Sequence, residues 1–205
     1  SPFNAFFNSA YKSAEVYGCK KDGKIVSAFY LIDAPMKRGS ETLKAKYLYA
    51  AATLPEYRNC GIMGEMIEYA LNNLKMCGYQ AVYLYPADEH LYDYYHKFGF
   101  ENKFFCRVYE PDSTFLDKYK NQRYFLSDHS YAEMRQHLVA ENFAQFDSNY
   151  LDFAHFCAVS GGFEINAVFD DEDKVFITGH YENNVMYIDE AFSSECNYEH
   201  IFGLL

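Results

Sequence analysis

The sequence predicts an α/β (α+β) fold built on a mixed sheet, and two observations support this prediction. Between residues 24 and 109, runs of β-branched and aromatic residues of strand length alternate with segments of helical periodicity. Half of the 205 residues are apolar and a fifth are aromatic, so the chain can form a packed core. A strand–helix–strand order around an apolar sheet implies that one strand pair is parallel.

The first region reads as alternating strands and helices. Predicted strands cover 24–32, 44–53, 80–85 and 102–109, predicted helices cover 8–19, 61–77 and 88–97, and a polar loop covers 35–42. The helix over 61–77 has apolar residues at the i, i+3, i+4, i+7 spacing of one buried face, and Gly78 ends it. Asp88 is a good N-cap for the next helix.

The second region begins after a polar connector over 111–123. Helices are predicted over 130–140, 148–159 and 197–205, and strands over 163–169, 174–181 and 185–192. A weak internal repeat aligns residues 22–27 with 172–177, and 46–50 with 184–188. Chance similarity between two meanders of strands is an equally good explanation, and the second copy has no Arg-x-x-Gly turn.

Charge and cysteine usage exclude several classes of function. A net charge of −11 without a basic run argues against a nucleic-acid partner and suits a cationic ligand, although acidity also simply favours solubility. The cysteines are scattered, which predicts no metal site and a reduced, cytoplasmic protein with buried thiols. No segment has the length and apolarity of a membrane span, so no membrane partner is expected, and no signal peptide opens the sequence.

The turn at Arg58-Asn-Cys-Gly61-Ile-Met-Gly64 is the most informative segment for function. It joins a predicted strand to a predicted helix, and helix N-termini present free backbone N–H groups at the positive end of the helix dipole. Such a turn is suited to phosphate oxygens. Taken alone, it is equally well explained as an ordinary helix start.

A second motif, Tyr95-x-Lys97-x-Gly99-Phe100, follows at a fixed distance from Pro55-Glu-Tyr-Arg58-x-x-Gly61. Together the two motifs resemble those of the GCN5-related N-acetyltransferase (GNAT) superfamily, over about residues 24–107. Two positions depart from the family pattern. Met63 stands where a Gly or Ala is usual, and Asp88 stands where an Asn is frequent.

The resemblance implies a centrally splayed sheet flanked by helices, with acetyl-coenzyme A as donor and a primary amine as acceptor. It implies that Tyr95 protonates the departing thiolate after the amine attacks the thioester directly. It also implies a set of cofactor-binding residues, in which the strand segment holds the pantetheine arm and the loop holds the pyrophosphate: Ala51, Ala52, Thr53, Arg58, Asn59, Cys60, Gly61, Ile62, Met63 and Gly64.

The run Tyr85-Pro-Ala-Asp-Glu89-x-Leu91-Tyr92-x-x-Tyr95 resembles the bacterial tandem group of enhanced-intracellular-survival acetyltransferases. This implies a first GNAT-like domain over residues 1–111 and a second, degenerate or incomplete copy over 112–205. In that group the active site includes the carboxylate of a further C-terminal domain, so no such role is expected for Leu205.

Two other interpretations stay open at this point. One is a non-catalytic module that binds acyl-coenzyme A or serves as a scaffold, favoured by Met63 and Asp88. The other is a structural α+β domain in which the motifs are coincidental. The sequence does not specify the acceptor, the general base, the oligomeric state (homo-oligomers included) or whether its two ends are native.

Overall fold

The computed structural model describes residues 2–38, 40–104, 144–160, 165–169, 174–182 and 185–193. These residues divide into two compact units. One contains residues 10–104 and 144–147, and the other contains residues 2–9 and the described residues from 148 onward. The connector over 111–123, the helices over 130–140 and 197–205, and most of the strand over 102–109 lie outside the described residues, and residues 101–104 form no strand.

The first unit contains a mixed sheet with the strand order β1-β2-β5-β6. Its strands are β1 (Ala14–Lys21), β2 (Lys24–Asp33), β5 (Ala45–Thr53) and β6 (Ala81–Tyr83). The β1–β2 and β2–β5 pairs are antiparallel, whereas β5 and β6 are parallel, as the fold class requires. Asp22 and Gly23, with φ of 49° and 81°, form the two-residue turn between β1 and β2.

The predicted helix over 8–19 is wrong. Helix α1 (Pro2–Asn8) belongs to the other unit, a 3-10 turn covers Ala10–Ser13, and β1 starts at Ala14. β1 pairs with β2 along its whole length, so cross-strand pairing overrides the local preference for a helix. The predicted loop over 35–42 also contains a hairpin, β3 (Met36–Arg38) with β4 (Glu41–Leu43).

The two helices that carry the motifs are confirmed, with small changes at their ends. Helix α2 covers Ile62–Met76 and helix α3 covers His90–His96. Glu89, not Asp88, is the N-cap of α3, and its side chain makes no capping hydrogen bond. Asp88 instead uses its backbone carbonyl, which accepts from the N–H of Leu91 at 3.1 Å.

The hydrophobic core lies between the sheet and the two helices α2 and α3. Its buried members come from β2, β5, α2 and α3, and they are Phe29, Leu31, Leu48, Ile67, Ala70, Leu74 and Tyr95. The apolar stripe of α2 predicted from the sequence supplies three of these residues. Their burial fixes the rotation of α2, and with it the direction in which the first turn of α2 points.

A buried lysine anchors the beginning of β5. Lys46 is 1% exposed, and its Nζ lies 2.6 Å from Glu15 Oε1 and 3.0 Å from Asp33 Oδ1. Burial alone would lower the pKa of Lys46, but hydrogen bonds to these carboxylates outweigh it and raise the pKa above its usual value. The ammonium therefore stays charged and ties β1, β2 and β5 together.

The second unit contains helix α4 (Ser148–Ser160) and an antiparallel sheet with the order β7-β8-β9. The strands are β7 (Ile165–Phe169), β8 (Lys174–Glu182) and β9 (Val185–Ser193), which confirms the three strands and the helix predicted here. Helix α1 packs on α4, where the rings of Phe6 and Phe153 meet edge to face with centroids 5.3 Å apart.

The weak sequence repeat coincides with a repeat in strand pairing. When the alignment is extended along the strands, Ala28 and Tyr30 of β2 correspond to Thr178 and His180 of β8. In the same way, Ala52 and Tyr49 of β5 correspond to Glu190 and Tyr187 of β9. The pairs Ala28↔Ala52 and Tyr30↔Tyr49 therefore match the pairs Thr178↔Glu190 and His180↔Tyr187. The register shifts between these two pairs in both sheets. This agreement supports a second copy of the first meander, while the domain boundary at residue 111 stays a prediction.

Candidate functional site

The site begins at the free edge of β5. β5 pairs with β6 only from Ala45↔Ala81 to Tyr47↔Tyr83, and beyond Tyr47 no described strand pairs with this edge. The other edge of β5 remains paired with β2 as far as Thr53. The sheet is therefore splayed at its centre, and Ala51, Ala52 and Thr53 lie on the strand that borders the opening.

A β-bulge distorts β5 at the opening. Tyr30 pairs with Tyr49 and Ala28 with Ala52, so Ala50 and Ala51 both lie opposite the single residue Phe29. Ala50 has φ of 51°, in the left-handed region that a non-glycine residue seldom adopts. The sequence did not reveal this bulge, and the run of alanines at 50–52, unusual in a strand, is the one local signal of it.

The loop after β5 is held in a defined curve. The backbone N–H of Leu54 donates to Val26 O at 2.9 Å, and Pro55–Tyr57 forms a 3-10 turn. Arg58 then folds back, so that its Nε donates to Thr53 O at 3.0 Å. The guanidinium group of Arg58 thus fastens the loop to the end of β5 and leaves its positive charge at the exposed surface.

Two residues in left-handed conformation shape the last part of the loop. Asn59 has φ of 59° and Gly61 has φ of 79°, and Gly61 is the N-cap of α2. A glycine fits this position because an L side chain would be strained there. No side chain caps the N-terminus of α2.

The backbone N–H groups from Asn59 to Gly64 have no hydrogen-bond acceptor among the described residues. The first N–H of α2 with an intramolecular partner is that of Glu65, which donates to Gly61 O at 3.0 Å. Free N–H groups at the start of a helix, together with its dipole, favour an anion. The carboxylate of Glu65 lies in the first turn of α2, and its negative charge opposes the binding of an anion there.

Side chains do not fill the loop. Arg58, Asn59, Cys60 and Gly61 are exposed, and Met63 packs against the hydrophobic core. The departure from the family pattern at Met63 therefore places a side chain in the core and not in the loop. Cys60 and Cys77 are exposed free thiols, which corrects the expectation of buried cysteines for these two.

Gly64 serves the packing of α2 on Phe98, in the turn that follows α3. A Cβ atom at Gly64 would lie 3.0 Å from Cζ and 3.2 Å from Cε1 of Phe98, closer than side chains normally approach. The small residue that follows Met63 is thus required by the Phe98 ring. Ile62, the first residue of α2, is itself buried.

Tyr95 lies within the core, next to the splayed strand. Its side chain is 9% exposed, it belongs to the core cluster that includes Leu48 of β5, and Ala51 packs against this cluster. Burial raises the pKa of the Tyr95 phenol above its ordinary value of 10.0. Among the described residues, no atom forms a hydrogen bond with the Tyr95 hydroxyl.

Two other titratable groups near the motifs have partners. His96 Nδ1 lies 2.6 Å from Phe100 O, and the exposed Glu56 forms an ion pair with Lys24 at 3.6 Å. Within the described ranges, no cluster of three histidine, cysteine or acidic residues is arranged to hold a metal ion. No helix in the same ranges has the length and apolarity to cross a membrane.

This geometry defines a protein with an anion-receptive strand–loop–helix turn beside a splayed sheet. Residues 2–102 match the family model of the acetyltransferase (GNAT) domain. Residues 2–102 therefore form a GNAT acetyltransferase domain, and the family of this domain is one of acyltransferases.

Two solved structures are compared with this chain, and the first of them, with a TM-score above 0.5, shows the same fold. Eis1 from Mycobacterium abscessus superposes with a TM-score of 0.64 at 10% identity, over 98% of this chain and 57% of that one, so this chain spans little more than half of it. Glucosamine-6-phosphate N-acetyltransferase from Arabidopsis thaliana has 17% identity and a TM-score of 0.42, over 54% of this chain and 77% of that one. Comparison with curated protein sequences finds no significant match.

Proposed function

We propose that this protein transfers the acetyl group of acetyl-coenzyme A to a primary amine on a small molecule or peptide. The observation that carries the proposal is the row of N–H groups from Asn59 to Gly64, at the N-terminus of α2, which have no acceptor among the described residues. Backbone donors of this kind are a natural seat for a pyrophosphate. Arg58 adds a positive charge beside them.

The open edge of β5 supports a place for the pantetheine arm. Peptide groups of Ala51, Ala52 and Thr53 border the gap between β5 and β6, where an extended chain with amide groups can add as a further strand. The bulge at Ala50 redirects the backbone beside this gap. A backbone N–H at the bulge is suited to polarise the acetyl carbonyl.

In the proposed reaction the amine nitrogen attacks the acetyl carbonyl, an N–C bond forms and the C–S bond breaks. The thiolate takes a proton from the Tyr95 hydroxyl, the attacking nitrogen loses its extra proton to solvent, and the Tyr95 phenolate regains a proton from solvent. The raised pKa of Tyr95 keeps its proton in place at neutral pH. Its unpartnered hydroxyl and its contact with the cluster beside Ala51 support this role.

The proposal is tested by calorimetry with acetyl-coenzyme A, followed by measurement of thiol release with a panel of amines. Binding together with amine-dependent thiol release is the expected result. Absence of binding at millimolar acetyl-coenzyme A would disprove the proposal. Binding without turnover on any amine would favour the alternative, a non-catalytic acyl-coenzyme A module.

A further inference from the structure

Two lysines face each other across the turn between β1 and β2. Lys21 of β1 and Lys24 of β2 form the last register pair before the turn at Asp22 and Gly23, and both are exposed. Residues directly opposite each other in an antiparallel pair have Cβ atoms about 4.5–5.5 Å apart, and like charges at such positions destabilise the sheet. The hairpin therefore holds two ammonium groups together at a cost in stability, and an anionic ligand between them would remove that cost.

This lysine pair lies at the end of the sheet that carries the loop after β5. β1 and β5 both run antiparallel to β2, so their last residues, Lys21 and Thr53, lie at the same end of the sheet. The N–H of Leu54 donates to Val26 O at 2.9 Å, which joins the first residue of the loop to the beginning of β2. The anion-receptive N-terminus of α2 follows the same loop.

Two contacts connect the lysine pair directly with the loop. Lys21 Nζ lies 5.8 Å from the centroid of the Tyr57 ring, within cation–π distance. Lys24 Nζ lies 3.6 Å from Glu56 Oε1, and this ion pair is weak because the two side chains are 65% and 57% exposed. Arg58, with its exposed positive charge, follows Tyr57 directly. The lysine pair thus continues the positive surface of the loop toward the hairpin.

The local charge differs in sign from the charge of the whole chain. Residues 20–24 contain three lysines and one aspartate, and residues 56–58 contain one arginine and one glutamate. Glu65 in the first turn of α2 adds one opposing carboxylate. Over the whole chain, by contrast, 29 acidic residues stand against 18 lysines and arginines. A local excess of positive charge in an acidic protein attracts phosphate groups to this end of the sheet.

We propose that Lys21 and Lys24 bind the 3′-phosphate of coenzyme A, so that the protein prefers acetyl-coenzyme A to acetyl-dephospho-coenzyme A. The inference rests on the proposed function, since it extends the pyrophosphate seat at the N-terminus of α2. In the coenzyme, only the ribose separates the 3′-phosphate from the pyrophosphate, and the lysine pair adjoins the loop in the same way. Lysine is a compact charge on a flexible stem, so both ammonium groups can turn toward one phosphate.

The test compares two ligands that differ only in the 3′-phosphate. In calorimetry with the full chain, acetyl-coenzyme A should bind about ten-fold more tightly than acetyl-dephospho-coenzyme A, as expected for charge-assisted hydrogen bonds at an exposed site. In the double variant Lys21→Gln/Lys24→Gln this ratio should fall below about two-fold, while the Kd for acetyl-dephospho-coenzyme A stays within about two-fold of the wild-type value.

The matched control is Lys12→Gln/Lys75→Gln. It removes two exposed lysines outside the hairpin end, one before β1 and one in the last turn of α2, and it should leave the ratio between the two ligands unchanged. Chemical denaturation should show that Lys21→Gln/Lys24→Gln is at least as stable as the wild-type protein without ligand, because the repulsion across the hairpin is relieved. A lost preference can then not be ascribed to unfolding.

Three results would overturn the inference while leaving the proposed function intact: equal affinity of the wild-type protein for the two ligands, an unchanged ratio in Lys21→Gln/Lys24→Gln, or the same fall in the control. Inorganic phosphate that binds through Lys21 and Lys24 without competing with acetyl-coenzyme A would also overturn it, since the pair would then serve a separate phosphate site. Absence of binding of both ligands would refute the proposed function and the inference together.

Discussion

At the scale of single residues, the Tyr95 hydroxyl is the group whose role is most directly testable. Tyr95→Phe should lower kcat by about 10²–10⁴-fold, the usual contribution of a general acid. The Kd for acetyl-coenzyme A should stay nearly unchanged, because the phenyl ring keeps its place in the core. Tyr69→Phe, on the exposed side of α2, is the control and should leave kcat unaltered.

The effect of Tyr95 on the pH dependence of kcat has a definite direction. Burial raises the pKa of Tyr95, so the protonated, active form persists beyond pH 10. In the wild-type protein, loss of this acid should reduce kcat only above that pH, and Tyr95→Phe should abolish this high-pH decline. A decline centred below pH 10 that disappears in Tyr95→Phe would contradict the assignment.

Gly61 provides a second test at this scale, with Gly78 as its matched control. Both have φ near 80°, at 79° and 77°, and a Cβ atom at either position meets no close contact. Replacement by alanine should therefore reduce the free energy of unfolding by about 1–2 kcal/mol at both positions, through backbone strain alone. Chemical denaturation measures this effect.

The affinity for acetyl-coenzyme A should distinguish Gly61→Ala from Gly78→Ala. Gly61→Ala shifts the backbone donors of the loop and should weaken acetyl-coenzyme A binding at least about ten-fold. Gly78→Ala, at the other end of α2, should not change it. If calorimetry gave the same Kd for both variants, the loop would not be the pyrophosphate site.

At the scale of elements, the contact between α2 and the turn that follows α3 depends on the missing side chain of Gly64. Gly64→Ala places a methyl group about 3 Å from the Phe98 ring, and overpacking of this kind lowers stability by about 1–3 kcal/mol. Phe98→Leu in the same chain should restore part of the loss. A double-mutant cycle measures the coupling, and additive effects of the two changes would show that α2 and the Phe98 ring do not press on each other here.

Among the elements, strand β5 positions most of the candidate site. Its beginning is fixed by the buried Lys46, its middle is distorted at Ala50, and its end is tied to the loop by Arg58. The parallel pairing with β6 stops at Tyr47, which opens the edge that the cofactor is proposed to occupy. One strand thereby sets the relative positions of the gap, the bulge and the loop.

At the scale of the whole molecule, a distant segment completes the first unit. The N–H of Gln145 donates to Pro35 O at 2.7 Å, Ala144 bridges Met36, and the Phe146 ring meets Tyr47 with centroids 5.4 Å apart. Residues beyond the predicted boundary at 111 thus belong to the compact unit that begins at residue 10. The second unit stays a predicted degenerate copy, supported by the shared register shift.

Phe146→Ala should loosen this unit locally. Loss of the ring contacts with Tyr47 and Tyr83 should destabilise it by about 1–3 kcal/mol, since each aromatic pair contributes about 0.5–1.5 kcal/mol. Hydrogen exchange followed by mass spectrometry should show faster exchange in β3, β5 and β6 but not in β7–β9. The control Phe156→Ala, on an exposed position of α4, should leave β5 unchanged.

The sequence by itself determined the fold class, helix α2, the strands β7–β9 and the glycine-containing turn at Arg58–Gly61 that precedes α2. These features follow from local sequence patterns: helical periodicity, apolar runs of strand length and a glycine before a helix. Only the tertiary structure decided that residues 14–21 form a strand, that Ala50 bulges, that Gly64 accommodates Phe98, and that residues 144–147 return to the first unit. Each of these depends on contacts between residues far apart in the chain, which no local pattern records.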